Sequence, residues 1–185
     1  GTRAGARDVP VERHVSRAYG RSWTIGACTV ELVAVPHDAA QPAAVVVTST
    51  RSGARLGLAT DLGEVSDMLS AAFERLDFLV LESNHCEMML RDGPYPPFLQ
   101  ARIASGTGHL SNRQTGTLLQ RVAHKGLRQV MLAHLSQQNN EPAVAMAAAT
   151  AVLKGTGFRG TLGCAAQDVV TRLGARSGGQ MEMAL

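Results

Sequence analysis

Two short segments of apolar residues constrain the fold of this chain more than any other feature. Residues 78–81 read FLVL and residues 129–133 read QVMLA, and polar residues bound both. Runs of this length and composition are typical of strands that are covered on both faces of a sheet. Segments with helical spacing of apolar residues lie before, between and after them. The pattern predicts an α/β fold in which helices cover a sheet.

The remaining elements follow from the same periodicities. Strands are predicted at 23–25, 28–35, 43–48 and 55–60, the first two forming a hairpin around Gly26. Helices are predicted at 65–76, 98–105 and 142–154, and a further helix begins at Ser111 or Asn112 and runs to about 125. Residues 82–97 are predicted as a loop that ends in GPYPP. After residue 155 only one or two weak strands are expected.

Composition narrows the class of protein. The chain has 185 residues, 45% apolar and 18% charged, which suits one water-exposed domain with a core, or part of a larger one. No apolar run approaches the roughly 20 residues that a membrane helix needs, so no membrane association is expected. Its three cysteines form no CxxC pair, which disfavours a disulfide framework and favours a reducing cytoplasm. The net charge of +3 permits a phosphate-bearing partner without requiring one.

Three predicted strands end on residues that bind metals. His37 and Asp38 follow the second strand, Asp61 follows the fourth, and His134 follows the run at 129–133. Imidazole and carboxylate groups together suit zinc or manganese. Each residue alone is better explained as a hydrogen-bonded strand end, and Asp61 as the cap of helix 65–76, but three coincident cases favour a metal site more strongly. Spacing therefore leaves the metal site and the purely structural interpretation about even.

Five motifs resemble a known family. They are, in chain order, VPHDAAQP, LATDLGEVSD, LESNHCEMMLRDGPYP, GHLSN and LAHLSQQNN. Together they are similar to the metallo-β-lactamase superfamily, and most similar to its YycJ-type branch of DNA exonucleases. The resemblance runs from about residue 23 to the tail. It implies an αββα sandwich, a site for two divalent ions (zinc or manganese) and a nucleic-acid partner, DNA.

The resemblance also implies roles for individual residues. His37, Asp61 and His134 match metal ligands, with Asp61 as the carboxylate that bridges two ions. His109 matches a histidine that assists proton transfer or holds phosphate, and Glu82 matches a carboxylate that orients it.

Other polar residues near the motifs receive weaker assignments. Candidate phosphate or supporting donors are Ser83, Asn84, Ser136 and Asn139. His85 and Asp38 are expected to face solvent beside the site, and His14 and His124 to be surface residues. Three arginines, Arg91, Arg102 and Arg113, either guide the nucleic-acid backbone or carry ordinary solvated charge.

One departure from the family pattern is large. The family begins with a half-domain that carries an HxHxDH motif, and no HxH occurs in these 185 residues. We therefore expect residues 1–185 to be the C-terminal portion of a single metallo-β-lactamase domain whose sandwich is incomplete at the N-terminus. Such a chain would be impaired, and we expect it to be inactive on DNA by itself.

An incomplete sandwich would also expose apolar side chains. Apolar residues would lose cover, namely Val45, Val47, Leu58 and Leu79, and exposed apolar surface of this kind favours a homo-oligomer.

The alternatives to a DNA exonuclease are a non-catalytic fragment or binding module, and an ester or thioester hydrolase of the same superfamily.

Overall fold

A computed structural model describes residues 15–171 of the chain. Seven strands form one sheet in which spatial order follows chain order. The strands are β1 (Ser22–Ile25), β2 (Cys28–Ala34), β3 (Ala43–Ser49), β4 (Arg55–Ala59), β5 (Phe78–Glu82), β6 (Gln129–Ala133) and β7 (Thr161–Cys164). The helices are α1 (Asp67–Ala72), α2 (Glu87–Asp92), α3 (Pro97–Ile103), α4 (Asn112–Val122) and α5 (Pro142–Leu153). The α/β prediction is confirmed.

The sheet is mixed, and the directions of its strands determine which strand ends lie at the same edge. Strands β1 to β4 pair antiparallel, and β4 to β7 pair parallel. Because β2 and β4 are both antiparallel to β3, they point the same way as β5 and β6. The carboxyl ends of β2, β4, β5 and β6 therefore lie at one edge of the sheet, where open α/β sheets place their ligand crevices.

Side chains on one face of the sheet form the core with helices α1, α4 and α5. Alternate residues on the strands are buried there, including Val46, Ala59, Leu81 and Leu132. They belong to the same apolar cluster as residues of the three helices, namely Leu69, Leu118, Leu119, Ala145, Ala149 and Leu153. Successive strand residues point to opposite faces, so this alternation shows which face the helices cover.

The opposite face of the sheet is only partly covered in residues 15–171. Val45, Val47 and Leu58, for which a loss of cover is expected, lie on it and are half-buried. The same expectation for Leu79 is wrong, since this residue is fully buried. Leu79 pairs with Gly57 and Val130, which places it in phase with the helix-covered residues.

The predicted elements differ from the structure mainly in the helices. The helix predicted at 65–76 is shorter, because Ser66 caps its start and Arg75 has a positive φ of 55° beyond its end. Ser66, rather than Asp61, accepts the capping hydrogen bond. Helix α2 lies where a loop was predicted, and α4 ends at Val122, a few residues before 125. Among residues 15–171, no helix is long and apolar enough to cross a membrane.

Candidate metal centre

Three predicted ligand residues converge at the carboxyl edge of the sheet. His37 follows β2, Asp61 follows β4 and His134 follows β6. The Nε2 atoms of His37 and His134 lie 3.8 Å and 3.7 Å from the same oxygen, Oδ1 of Asp61. The side chain of Asp61 is 48% exposed, so the carboxylate faces the crevice. Residues up to 97 positions apart in sequence thus place two imidazole nitrogens within 3.8 Å of one carboxylate oxygen.

The ring orientation of each histidine is fixed through its Nδ1 atom. Nδ1 of His37 lies 2.8 Å from the carbonyl oxygen of Gly108. Nδ1 of His109 and Nδ1 of His134 lie 2.8 Å and 2.6 Å from Oε1 of Glu82. Since carbonyl and carboxylate oxygens only accept, each Nδ1 carries the proton, and each Nε2 keeps a free lone pair. Histidines that bind metals are held in this way.

Glu82, the last residue of β5, connects the histidines to the backbone. It is fully buried, and its Oε2 accepts hydrogen bonds from the backbone N–H groups of Leu62 and Leu110. Burial by itself would raise the pKa of Glu82, but the hydrogen bonds from His109 and His134 outweigh burial and lower that pKa to about 2. In turn, the hydrogen bond to Glu82 raises the pKa of His134 against the opposing effect of burial.

The residues present suit a divalent cation. Asp61, Glu82, His109 and His134 each offer a potential ligand atom, and these atoms lie within 4.8 Å of one another. Both oxygens of Glu82 already accept N–H groups, so Glu82 fits an orienting role better than a ligand role. Imidazole nitrogens beside the Asp61 carboxylate are a donor set that zinc and manganese accept.

Two of these residues have an unusual backbone conformation. Asp61 has a φ of 60° and His134 a φ of 55°, in the left-handed region that residues other than glycine seldom adopt. Asn84 holds the turn at His134, because its amide donates to the His134 carbonyl and its own carbonyl accepts from Ser136 N–H. Such conformations cost about 1–3 kcal/mol each and persist where surrounding contacts enforce them.

The predicted phosphate donors occupy two different environments. Asn84 and Ser136 line a cleft beside His109 and His134. Ser83 and Asn139 are buried, with 1% and 0% exposure. The structure therefore does not bring Ser83 and Asn139 to the cleft.

A buried amide network explains why Ser83 lies inside. Its hydroxyl donates to Oδ1 of Asn112, and the Asn112 amide donates to Oδ1 of Asn140. The Asn140 side-chain amide donates to the carbonyl oxygens of Ser83 and Asn84. This network ties the ends of β5, α4 and the loop before α5 together. The sequence signals for it, SN in GHLSN and NN in LSQQNN, are recognisable only once the two segments are known to touch.

The structure corrects the predicted positions of several polar residues near the motifs. His85 does not face solvent: it is 1% exposed, and burial lowers the pKa of its imidazole. Asp38 does lie at the cleft, where it pairs with Arg102 at 2.6 Å. Arg91 pairs with Asp92 and Arg113 with Glu87, so neither arginine is an isolated charge. His124 is half-buried and bonds the Leu76 carbonyl, and His14 lies outside the described residues.

Close backbone contact between two loops positions Asp61. A Cβ added at Gly63 would collide with the Gly106 carbonyl and lie 2.6 Å from Gly108 N. We expect Gly63→Ala to push the Asp61 loop away from the loop that carries His109. The substitution should cost about 1–3 kcal/mol of stability and weaken metal binding, because overpacked backbone must shift.

The matched control for this prediction is Gly106→Ala, in the opposing loop. A Cβ there would meet only the Glu64 side chain, with Oε2 at 3.4 Å and Cδ at 3.9 Å, which are ordinary contacts. Calorimetric titration with zinc or manganese, together with thermal unfolding, compares the two variants. Equal metal affinity in Gly63→Ala and Gly106→Ala would show that the spacing of the two loops does not set the site.

The fold and this polar edge define a class of protein. Residues 2–135 match the family described as the Beta-lactamase superfamily domain. The chain belongs to this family.

Particular relatives narrow the comparison. The chain is 33% identical to the exodeoxyribonuclease YycJ of Bacillus anthracis over 151 residues, covering 82% of this chain and 56% of the relative. It is 34% identical to the exodeoxyribonuclease WalJ of Streptococcus pneumoniae over 129 residues, 70% of this chain and 47% of the relative. The chain thus spans about half the length of these curated relatives.

Structural comparison agrees on the fold. The crystal structure of YhfI, a metallo-β-lactamase fold protein from Bacillus subtilis, superposes with a TM-score of 0.59 at 17% identity. That comparison covers 82% of this chain and 52% of YhfI. At this identity the likeness concerns the fold alone.

Proposed function

We propose that this chain contributes to a metal-dependent phosphodiester hydrolase that acts on DNA as an exonuclease. The observation that carries the proposal is the set of three imidazoles with protonated Nδ1 atoms around the carboxylate of Asp61. The similarity to two exodeoxyribonucleases supports DNA as the substrate. Since the chain spans about half of these relatives, the activity of the whole protein is part of the proposal.

Each residue has a defined task in this proposal. His37, Asp61 and His134 hold the divalent metal through Nε2, a carboxylate oxygen and Nε2. A bound metal of this kind lowers the pKa of a water molecule toward ~7 and stabilises negative charge on phosphate oxygens. Glu82 keeps His109 and His134 in the tautomer that presents Nε2 to the crevice. His109 then has Nε2 available to accept or return a proton near the scissile phosphate.

Metal titration and hydrolysis assays test the proposal together. Calorimetry with zinc and with manganese measures the stoichiometry and affinity of the chain, and Asp61→Ala measures how much of both depends on the site. Turnover is assayed on end-labelled DNA with manganese, with and without chelator, and in parallel on a thioester. The chain is assayed alone and as part of a longer form that includes an HxHxDH segment.

The outcomes separate the competing functions. Chelator-sensitive release of nucleotides that depends on Asp61 supports the exonuclease. Turnover of the thioester but not DNA identifies an ester or thioester hydrolase. Stoichiometry near zero and no turnover in either form would contradict an enzymatic role and leave a binding module.

A further inference from the structure

The cleft beside the metal centre is lined by both apolar and polar residues. Its volume is about 1270 Å³, above the ~300–1000 Å³ usual for sites that enclose one small ligand. His109 and His134 are among the lining residues. Tyr95, Leu99 and Ile103 form an apolar wall, and Ser136, Gln137, Gln138 and Gln167 line the cleft with polar groups.

Tyr95 stands out within this lining. It is the one phenylalanine, tyrosine or tryptophan among the lining residues in the described part of the chain. Only seven residues of these three types occur in all 185, so an aromatic ring is rare in this protein. Phe73, by contrast, is fully buried in the core, and Phe98 is 74% exposed on the surface of α3.

The backbone that carries Tyr95 is held on both sides. Prolines 94, 96 and 97 surround it and restrict the backbone angles of the loop. The Gln100 side-chain amide donates to the Tyr95 carbonyl at 2.8 Å and to the Arg91 carbonyl at 3.3 Å. A Cβ at Gly93 would lie 2.6 Å from Oδ1 of the buried Asn139, so the loop is also seated against the protein interior. The backbone position of Tyr95 is therefore set before a ligand binds.

Charge in the cleft gives little attraction for a phosphate backbone. The lining contains one arginine, Arg102, which is paired with Asp38, and a further carboxylate, Asp168. A duplex held mainly by its phosphates needs a clearly positive groove. A strand end held through its bases needs an aromatic face instead, because every base can stack on one.

We propose that Tyr95 is a stacking platform for a nucleobase of an unpaired strand end, with Leu99 and Ile103 completing the apolar wall. The inference rests on the proposed function and specifies its substrate as a nucleic-acid end with at least one unpaired base. Stacking beside His109 and His134 would present the adjoining phosphodiester to the candidate metal centre. The protein then prefers frayed or single-stranded ends to blunt duplex ends.

The test uses whichever form hydrolyses DNA, the chain alone or the longer form, with manganese. The DNA strand carries phosphorothioate linkages that protect it from hydrolysis during binding. The strand carries 2-aminopurine, a fluorescent base quenched by stacking, at one end or the other. Wild type is compared with Tyr95→Ala, Tyr95→Phe and Phe98→Ala, the last removing an aromatic ring from the same region but outside the cleft. Thermal unfolding confirms that each variant folds, and anisotropy measures affinity.

Wild type, Tyr95→Phe and Phe98→Ala should quench the terminal base and bind alike. Tyr95→Ala should lose the quench and bind roughly 5- to 150-fold more weakly, the effect of losing one stacked base. On a strand whose terminal residues are abasic, wild type and Tyr95→Ala should bind equally. Turnover of an abasic strand without phosphorothioate linkages should also be equal, since the metal centre is unchanged.

Two results would overturn the inference in distinguishable ways. If wild type turns over DNA with metal but Tyr95→Ala quenches and binds as wild type does, the stacking role is wrong and the proposed function stands. If wild type neither binds nor turns over the base-bearing or the abasic strand, the proposed function is wrong and the stacking role falls with it.

Discussion

Glu82→Gln should be the most destabilising single polar substitution in this site. The carboxylate is fully buried and accepts four N–H groups, from His109, His134, Leu62 and Leu110. Glutamine keeps the shape but turns one oxygen into an NH₂ group that faces N–H donors. We expect a loss of about 3 kcal/mol in the free energy of unfolding, as for a buried ionic group that loses its partner. Metal affinity should fall roughly 10- to 100-fold, because the histidines lose their orientation.

The pH dependence of stability gives the same prediction an independent measurement. The pKa of Glu82 is about 2 in the folded chain, below the ordinary value of 4.5 that applies once the chain unfolds. A depressed carboxyl pKa stabilises the fold above about pH 4.5, and this contribution disappears as the pH falls toward 2. In the metal-free protein, Glu82→Gln should flatten the stability profile in this window.

Glu64→Gln is the matched control, because Glu64 is an exposed glutamate close to the same loops. Urea unfolding at several pH values and metal titration compare the two variants. If Glu82→Gln matched Glu64→Gln in both stability and metal affinity, Glu82 would not be the residue that orients the histidines.

The strands were predictable because their signals are local. The β-branched run around Val46 and the apolar runs at 78–81 and 129–133 identify strands without any long-range information. Helix α2 was missed because six residues are too few for helical spacing to show, and tertiary contacts decide such short helices. The error at Leu79 has another origin: which face of a strand is covered depends on its partners in the sheet, Gly57 and Val130.

The candidate ligands were predictable for a different reason. Parallel strands bring their carboxyl ends to one edge, so residues that follow such strands meet regardless of their separation in sequence. His37, Asp61 and His134 satisfy that rule. What the sequence does not contain is the set of contacts behind the ligands. One oxygen of Glu82 accepts N–H groups from two imidazoles, and Asn112 and Asn140 hold Ser83 in the interior. Those contacts depend on side-chain positions that local patterns leave undetermined.

Asp61→Asn should separate the metal site from the fold. Asparagine has the same shape and tolerates positive φ at least as well as aspartate, so the backbone at φ 60° is undisturbed. The free energy of unfolding without metal should change by no more than about 0.5 kcal/mol, as for a half-exposed group. Metal affinity should fall about 100-fold or more, beyond the effect of residues that only orient ligands. Hydrolysis by the active form should fall about 10³-fold or more, because residues of one catalytic unit are not additive.

Asp38→Asn is the comparison that makes this prediction sharp, since Oδ1 of Asp38 also lies near His37, 3.5 Å from its Nε2. Asp38, however, is engaged by Arg102, whose hydrogen bond lowers the pKa of its carboxyl group, whereas Asp61 faces Nε2 of both His37 and His134. We therefore expect Asp38→Asn to loosen Arg102 and leave metal affinity within about threefold, a change of well under 1 kcal/mol. Zinc and manganese titrations of both variants, with thermal unfolding in chelator, decide between them. Strong metal binding by Asp61→Asn together with its loss in Asp38→Asn would mean that the crevice binds its ion through the carboxylate after β2 and not the one after β4.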